Sequence, residues 1–245
     1  MRFDIAGVTH RGNVRAVNED RLLIRTGQEQ GIPTAFLAVA DGMGGLAYGD
    51  RASALVMETL DRWWQNKAPV RTMEEISRQL DGAVYEAHRE LFYLSEELQE
   101  KTGSTLSLLY VWGNTYLIKQ VGDSRVYALD GKELRQLTTD QTWCNRMIET
   151  GELTPEQASR HRLRHALVNA LGVSPELEIA TERGTADKGM GYLLCSDGFY
   201  ADAALPRLVR DLRKLPAEQA LQELLEELLE GPATDNATAV LCRLT

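Results

Sequence analysis

Two apolar runs in this chain end in the same way, and that ending limits what they can be. "TAFLAVA" (Thr34–Ala40) leads into Asp41 of "ADGMGG", and "GYLLCS" (Gly191–Ser196) leads into Asp197-Gly198. Apolar runs of this length predict strands covered on both faces. A carboxylate at the end of a buried strand is costly without a partner, so Asp41 and Asp197 need one. Dense glycine beside them means either backbone dihedrals that other residues resist or something lying close to the main chain. For "DGMGG" alone two readings stay open: a tight turn capped by Asp, or an acid beside an open backbone arranged for a hard cation.

Further acids recur at strand ends. "RAVNED" puts Glu19 and Asp20 immediately before the strand "RLLIRT" (Arg21–Thr26), and "EGPATDNATAVLC" puts Asp235 immediately before the last strand. "KQVGDSRVY" places Asp123 in the turn of an expected hairpin between "TYLIKQV" (Thr115–Val121) and "RVYAL" (Arg125–Leu129). Six acids therefore stand at strand tips. Gathered at one edge of a sheet they would repel one another unless cations neutralised them. An all-oxygen ligand set suits Mg²⁺ or Mn²⁺ rather than zinc. Two such ions about 3.5–4 Å apart lower the pKa of a bridging water and hold phosphoryl oxygens.

Elsewhere strands and helices alternate. "FDIAGV" (Phe3–Val8) reads as a strand, Gly49-Asp50 as the start of a helix running to Trp64, and Met73–Leu94 as a long amphipathic helix. Gly113-Asn114 marks a hairpin after "TLSLLYVW" (Thr105–Trp112), Thr154-Pro155 a helix start, and Ala217–Leu229 a further helix. "LEIATERGT" resumes the sheet pattern. Hairpins separated by helix pairs favour antiparallel sheets covered by helices. Without repeats or Pro-rich linkers, the 245 residues read as one domain.

A net charge of −9 argues against nucleic acid or an anionic membrane as the main partner. The N-terminus, with Arg2 and Asp4 and no apolar core, does not read as a signal peptide, and no run reaches the ~18 apolar residues of a membrane span. Cys144, Cys195 and Cys242 are far apart and read as buried thiols of a cytoplasmic protein.

The ordered set "RAVNED", "ADGMGG", "TGSTL", "VGDSRVY", "LTTDQTW", "LVNALG", "CSDGF" and "TDNAT" resembles the metal-dependent protein phosphatases (PPM, or type 2C Ser/Thr phosphatases), bacterial branch. The resemblance runs from Thr9 to Leu241. It implies a four-layer α/β/β/α sandwich of two mainly antiparallel sheets flanked by helix pairs, with a metal centre at one end. It also implies a flap over the site at about 142–167.

By the same resemblance, Asp41 bridges two metals and Gly42 offers its carbonyl to one of them. Asp197 and Asp235 hold the other, and Glu19 and Asp20 act mainly through metal-bound waters. Arg15 grips the substrate phosphate, for which its planar fork is suited. Asp123 helps to bind a third, weaker ion. The chain departs from the family pattern twice. Met43 stands where some members carry a histidine that could protonate the leaving group. Ala201 replaces an expected Asp, leaving two alternatives: Asp202 takes that place, or the third ion is held more loosely.

The implied activity is a Mn²⁺- or Mg²⁺-dependent Ser/Thr phosphoprotein phosphatase. An activated water attacks phosphorus in line, with no covalent phosphoenzyme and no nucleophilic Cys or Ser. The implied partners are phosphoprotein substrates and a cognate Ser/Thr kinase, for a monomer in bacterial signalling. One alternative is an inactive pseudophosphatase that binds a kinase or phosphoprotein; such a chain would be expected to lose Asp41, Asp197 or Asp235. A metal-dependent nuclease would want a basic approach surface. His161 and His165, four apart, would share a helix face and could suggest zinc, but "SRHRLRHAL" carries arginines and no glutamate base.

Overall fold

The computed structural model describes residues 1–44, 48–130, 133–211 and 215–245. The chain begins with β1 (Phe3–His10), β2 (Asp20–Glu29) and β3 (Ile32–Gly44), followed by α1 (Gly49–Asn66) and α2 (Met73–Leu98). Five strands follow: β4 (Thr102–Ser104), β5 (Leu106–Trp112), β6 (Thr115–Val121), β7 (Arg125–Leu129) and β8 (Leu134–Gln136). Then come α3 (Trp143–Glu149), α4 (Pro155–Ser159), β9 (Ala180–Thr185) and β10 (Gly191–Cys195). The chain closes with α5 (Asp197–Asp202), α6 (Leu205–Asp211), α7 (Ala217–Glu230) and β11 (Ala237–Leu244).

Two sheets result, antiparallel at every pairing among the described residues. One runs β2-β3-β5-β6-β9 with β4 attached to β3, and the other runs β1-β11-β10-β7-β8. Side chains alternate along a strand, so a strand buried on both faces feeds two cores. On β3, Phe36, Ala38 and Ala40 pack with Leu60 of α1 and Ile76 and Leu80 of α2. Ala35, Leu37 and Val39 face the opposite way, among Val126, Leu194 and Val240 of the second sheet. The outer face of that second sheet places Leu193 and Leu241 beneath Leu221 and Leu224 of α7 and Leu205 of α6. The architecture is the expected four-layer α/β/β/α sandwich with a helix pair on each outside.

Two local expectations are corrected. β3 does not stop at Asp41. It continues through Gly42, Met43 and Gly44, which pair with Ser104, Gly103 and Thr102 of β4, so these residues are extended strand rather than a tight turn. Gly45 of the motif lies outside the described residues. Secondly, β6 and β7 do not form a hairpin, because they belong to different sheets. Gly122, at φ +91°, makes a bend that side-chain-bearing residues resist, and the chain crosses between sheets at Asp123. Two strand patterns separated by a glycine look alike whether the chain folds back or crosses over.

All three cysteines are buried and free. No helix among the described residues is long and apolar enough to cross a membrane. The end of β3, the starts of β2, β5 and β11, the end of β10 and the β6–β7 crossing share one end of the sandwich, where the acids stand.

Candidate active site

The site is built outward from Asp41. Its amide donates to Thr105 Oγ1 (3.0 Å), and its carbonyl accepts from Thr105 N (2.9 Å) and Ser104 Oγ (3.1 Å). Thr105 Oγ1 in turn shares a hydrogen bond with Ser124 Oγ (2.7 Å), tying this strand end to the crossing that carries Asp123. Directly opposite Asp41 in the β2–β3 register is Asp20. Asp20 is 1% exposed. Its Oδ2 accepts from Ser196 Oγ (2.7 Å), whereas its Oδ1 has no hydrogen-bond partner among the described residues.

The second sheet contributes Asp197, the first residue of α5, and Asp235, two residues before β11. Asn236 fixes the loop that carries Glu19 against this edge. Its Oδ1 accepts from Glu19 N (2.8 Å), while its Nδ2 donates to the carbonyls of Arg11 (3.0 Å) and Val17 (2.9 Å). Arg15, half exposed at the rim, donates from Nη2 to Asp235 Oδ2 at 2.7 Å. Arg15, Glu19, Asp41, Gly42, Asp123, Asp197 and Asp235 all line one cavity of about 280 Å³. Asp20 lies behind it.

Crowded acids in a dry place resist ionisation. Loss of hydration, then the charges of Asp20, Asp197, Asp123 and Asp235, raise the Asp41 carboxyl well above its ordinary range. Burial pushes Asp20 up to about 7 against the opposing hydrogen bond from Ser196. Burial, then the charges of Asp197 and Asp140, push Asp123 up to about 7. Asp197 is raised by burial and by Asp235. Arg15, the basic side chain paired at this rim, is itself raised by its bond to Asp235.

The residues fit divalent cations. The orphaned Asp20 oxygen is one sign, and Gly49 is another. A Cβ built on Gly49 would lie 2.6 Å from Glu19 Oε1 and 2.7 Å from the Gly42 carbonyl oxygen. Two oxygens thus converge on a space that exists only because α1 opens with glycine. Gly42 is constrained too, since its own Cβ would stand 1.9 Å from the Gly49 carbonyl oxygen. Its glycine is demanded by close packing on α1, in a strand, rather than by a turn.

Asp123 and His165 line this cavity and also a neighbouring one of about 320 Å³ that reaches Arg125, Asp140, Cys144, Pro155 and Tyr200. Beneath Asp123, the Arg125 guanidinium is gripped by Asp140 (2.6 Å and 2.9 Å) and stacks on the Tyr200 ring (3.7 Å to the centroid). Asp140 comes from "LTTDQTW". Asp202 ends α5 as an exposed residue, and Ala201 is exposed beside it. Ligand atoms of Asp123, Asp197 and His165 do converge, all within 4.8 Å of one another. His161 is elsewhere, stacked on Trp143 (centroids 4.8 Å apart) with its Nδ1 accepting from Leu163 N. The segment between them is a series of turns, not a helix, so the two histidines do not form a pair.

Residues 6–243 match the family model described as Protein phosphatase 2C. The chain belongs to the protein phosphatase 2C family. Among relatives of this type 2C phosphatase, the serine/threonine phosphatase stp of Listeria monocytogenes serotype 4b is 34% identical over 192 residues, 78% of this chain and 75% of the relative. The crystal structure of the Mycobacterium tuberculosis serine/threonine phosphatase PstP/Ppp superposes with a TM-score of 0.84 at 32% identity, covering 99% of this chain and 98% of that one. A structure of the PstP catalytic domain in complex with two manganese ions gives a TM-score of 0.80 at 32% identity, covering 98% and 97%.

Within this type 2C phosphatase the structure brings together Glu19, Asp20, Asp41, Asp123, Asp197 and Asp235 with Arg15 and Gly42, and leaves Asp202 outside the group. It adds four residues that sequence reasoning did not assign. Asn236 and Ser196 adjoin Asp235 and Asp197 in motifs already quoted, and only their bonds reveal a supporting role. Gly49 reads in sequence as an ordinary helix start. His165 is hidden by its apparent pairing with His161.

Proposed function

We propose that this family member is a metal-dependent Ser/Thr phosphoprotein phosphatase acting at the Asp41 cavity, with phosphoserine and phosphothreonine in proteins as its substrates. The observation that carries this reading is the convergence of Glu19, Asp20, Asp41, Asp123, Asp197 and Asp235 from both sheets, with an arginine at the rim. Mn²⁺ or Mg²⁺, two ions held tightly, would supply the positive charge that acidifies a water and neutralises phosphoryl oxygens. Asp41, Asp197 and Asp235 are the residues that would hold them, with the Gly42 carbonyl and Glu19 at the Gly49 space and Asp20 from behind.

The remaining work belongs to the chain itself. Arg15, half exposed and paired with Asp235, exchanges that partner for the phosphate of the incoming residue. Ser196 holds the Asp20 carboxylate directly, while Thr105 and Asn236 fix the backbone at Asp41 and Glu19, so the acids keep their places as charge moves through the site. No cysteine lines the Asp41 cavity: all three are buried, and burial raises the Cys195 and Cys242 thiols, Cys242 to about 12. This supports direct hydrolysis without a phosphoenzyme.

We read residues 1–245 as one domain with a flap at 142–167, acting as a cytoplasmic monomer opposite a Ser/Thr kinase in bacterial signalling. The neck of that segment is closed by a bridge between Thr142 and Leu167 and by Trp143 N donating to the Ala166 carbonyl (2.8 Å). The test is incubation with Mn²⁺ and, separately, a phosphothreonine peptide, p-nitrophenyl phosphate and plasmid DNA. Phosphate release from the first two with intact DNA is expected. Nicked DNA with an untouched phosphopeptide would overturn the reading.

A further inference from the structure

We propose that His165 is a metal ligand: its imidazole joins Asp123 and Asp197 to form a third cation site with a nitrogen donor, which fastens the 142–167 segment to the centre. The inference rests on the metal-dependent reading above and concerns what this chain does where Ala201 leaves a ligand missing. Asp202, exposed at the end of α5, is not among the side chains that converge there.

Three side chains from three parts of the fold meet at this point. Asp123 sits on the crossing between sheets, Asp197 opens α5, and His165 comes from the turns that close the 142–167 segment. Their ligand atoms lie within 4.8 Å of one another. On one octahedral ion with bonds of ~2.1 Å, cis ligands stand about 3 Å apart and trans ligands about 4.2 Å. The three atoms therefore need to draw in toward a shared ion, which the turn carrying exposed His165 permits. Asp123 is 5% exposed and the loss of hydration opposes its charge, so an adjacent cation relieves a cost the fold already carries.

His165 is presented by backbone rather than by chance exposure. Arg164 N donates to the His161 carbonyl (3.2 Å) and Ala166 N to that of Leu163 (3.0 Å), while the Ala166 carbonyl is held by Trp143 N. His161, stacked on Trp143, braces the other end of the same turn. His165 therefore stands on a fixed loop at the junction of the two cavities.

Two consequences follow from the donor set. Mn²⁺, a transition ion, tolerates one imidazole among oxygen donors better than Mg²⁺ does, so this third site should favour Mn²⁺ over Mg²⁺. Because one ligand belongs to the segment and two to the sandwich, filling the site should also clamp the segment down.

The test is electron spin-echo spectroscopy of the full chain with saturating Mn²⁺, alongside calorimetric metal titration. The wild type should show ¹⁴N modulation from a directly bound imidazole. His165→Ala should lose it and weaken the third ion at least tenfold while keeping two tight ions. His161→Ala should retain it. His165→Asp should restore the third ion without the nitrogen signal and with less preference for Mn²⁺ over Mg²⁺. Circular dichroism checks that each variant is folded; His165 is exposed, and the loss of its side chain leaves no cavity. Bound Mn²⁺ without ¹⁴N modulation in the wild type, or modulation that survives His165→Ala, would overturn the proposal. Failure to bind any Mn²⁺ would overturn both this proposal and the metal-dependent reading beneath it.

Discussion

Asp20 of β2 stands directly opposite Asp41 of β3, two carboxyls paired across adjacent strands where like charges destabilise a sheet. Neighbouring pairs in the same register, such as Leu22–Val39 and Ile24–Leu37, are apolar. The acidic pair is thus a local departure from what stabilises the strand, placed where the cavity begins.

This pairing predicts how metal-free protein responds to pH. For Asp20 and Asp123 the folded-state pKa is about 7 against an ordinary 3.8. Between those values the folded chain holds more protons than the unfolded one, so stability falls as pH rises through the window and stays low above pH 7. At ~1.4 kcal/mol per pKa unit, the change from pH 5.5 to pH 8 is ~2 kcal/mol for each isolated group. In EDTA, Tm should be lower at pH 8 than at pH 5.5 by ~5 °C or more. Mn²⁺ should remove most of that gap. His88, whose pKa burial lowers, acts in the opposite sense in both forms and cancels in the comparison. A metal-free Tm that rises with pH across this window would contradict the electrostatic account.

Arg15→Ala should affect phosphate capture and not metal retention. The arginine is half exposed, so its worth lies at the low end for charge-assisted bonds, ~1–2 kcal/mol, or about tenfold in kcat/KM. Calorimetry should find Mn²⁺ binding as tight or tighter, because Asp235 loses a competing partner. Weaker Mn²⁺ binding with unchanged kinetics would assign Arg15 a different role.

Gly49→Ala sets helix propensity against close packing at the metal site. Alanine is favoured over glycine within a helix by ~1 kcal/mol. Here, however, its methyl would fill the space between Glu19 Oε1 and the Gly42 carbonyl. Mn²⁺ affinity should fall at least tenfold, and Tm in EDTA should fall as well, because the methyl must push aside the Gly42 carbonyl, which outweighs the helix gain. Unchanged Mn²⁺ affinity would show that this space holds no ion.

Asp123→Ala tests support for leaving-group protonation, which Met43 cannot provide. A serine or threonine alkoxide needs a proton to leave, whereas p-nitrophenolate does not. The variant should keep two tight ions and lose far more activity on a phosphothreonine peptide than on p-nitrophenyl phosphate. Equal losses on both substrates would exclude this role.

The layers are legible in the chain because strands buried on both faces announce themselves as unbroken apolar runs, as in Thr34–Ala40. The amphipathic stripe of Met73–Leu94 likewise names the face that packs. The acidic constellation is legible because carboxylates abutting such runs have few structural excuses. Connectivity in space is not: Gly122-Asp123 looks like a hairpin turn and is a crossing between sheets. Nor is close packing, since Gly42 needs its missing side chain because of Gly49, a contact with no local signature. His165 is obscured for the same reason, as its partners lie 42 and 32 residues away in sequence at Asp123 and Asp197.

The most direct test of the central claim is phosphothreonine-peptide hydrolysis by protein stripped with EDTA and then titrated with Mn²⁺, with Asp41→Asn in parallel. The stripped wild type should release no phosphate and should recover full activity as Mn²⁺ is restored. Asp41→Asn should stay inactive at every Mn²⁺ concentration. Full hydrolysis by the wild type in excess chelator, or by Asp41→Asn with metal, would contradict the account.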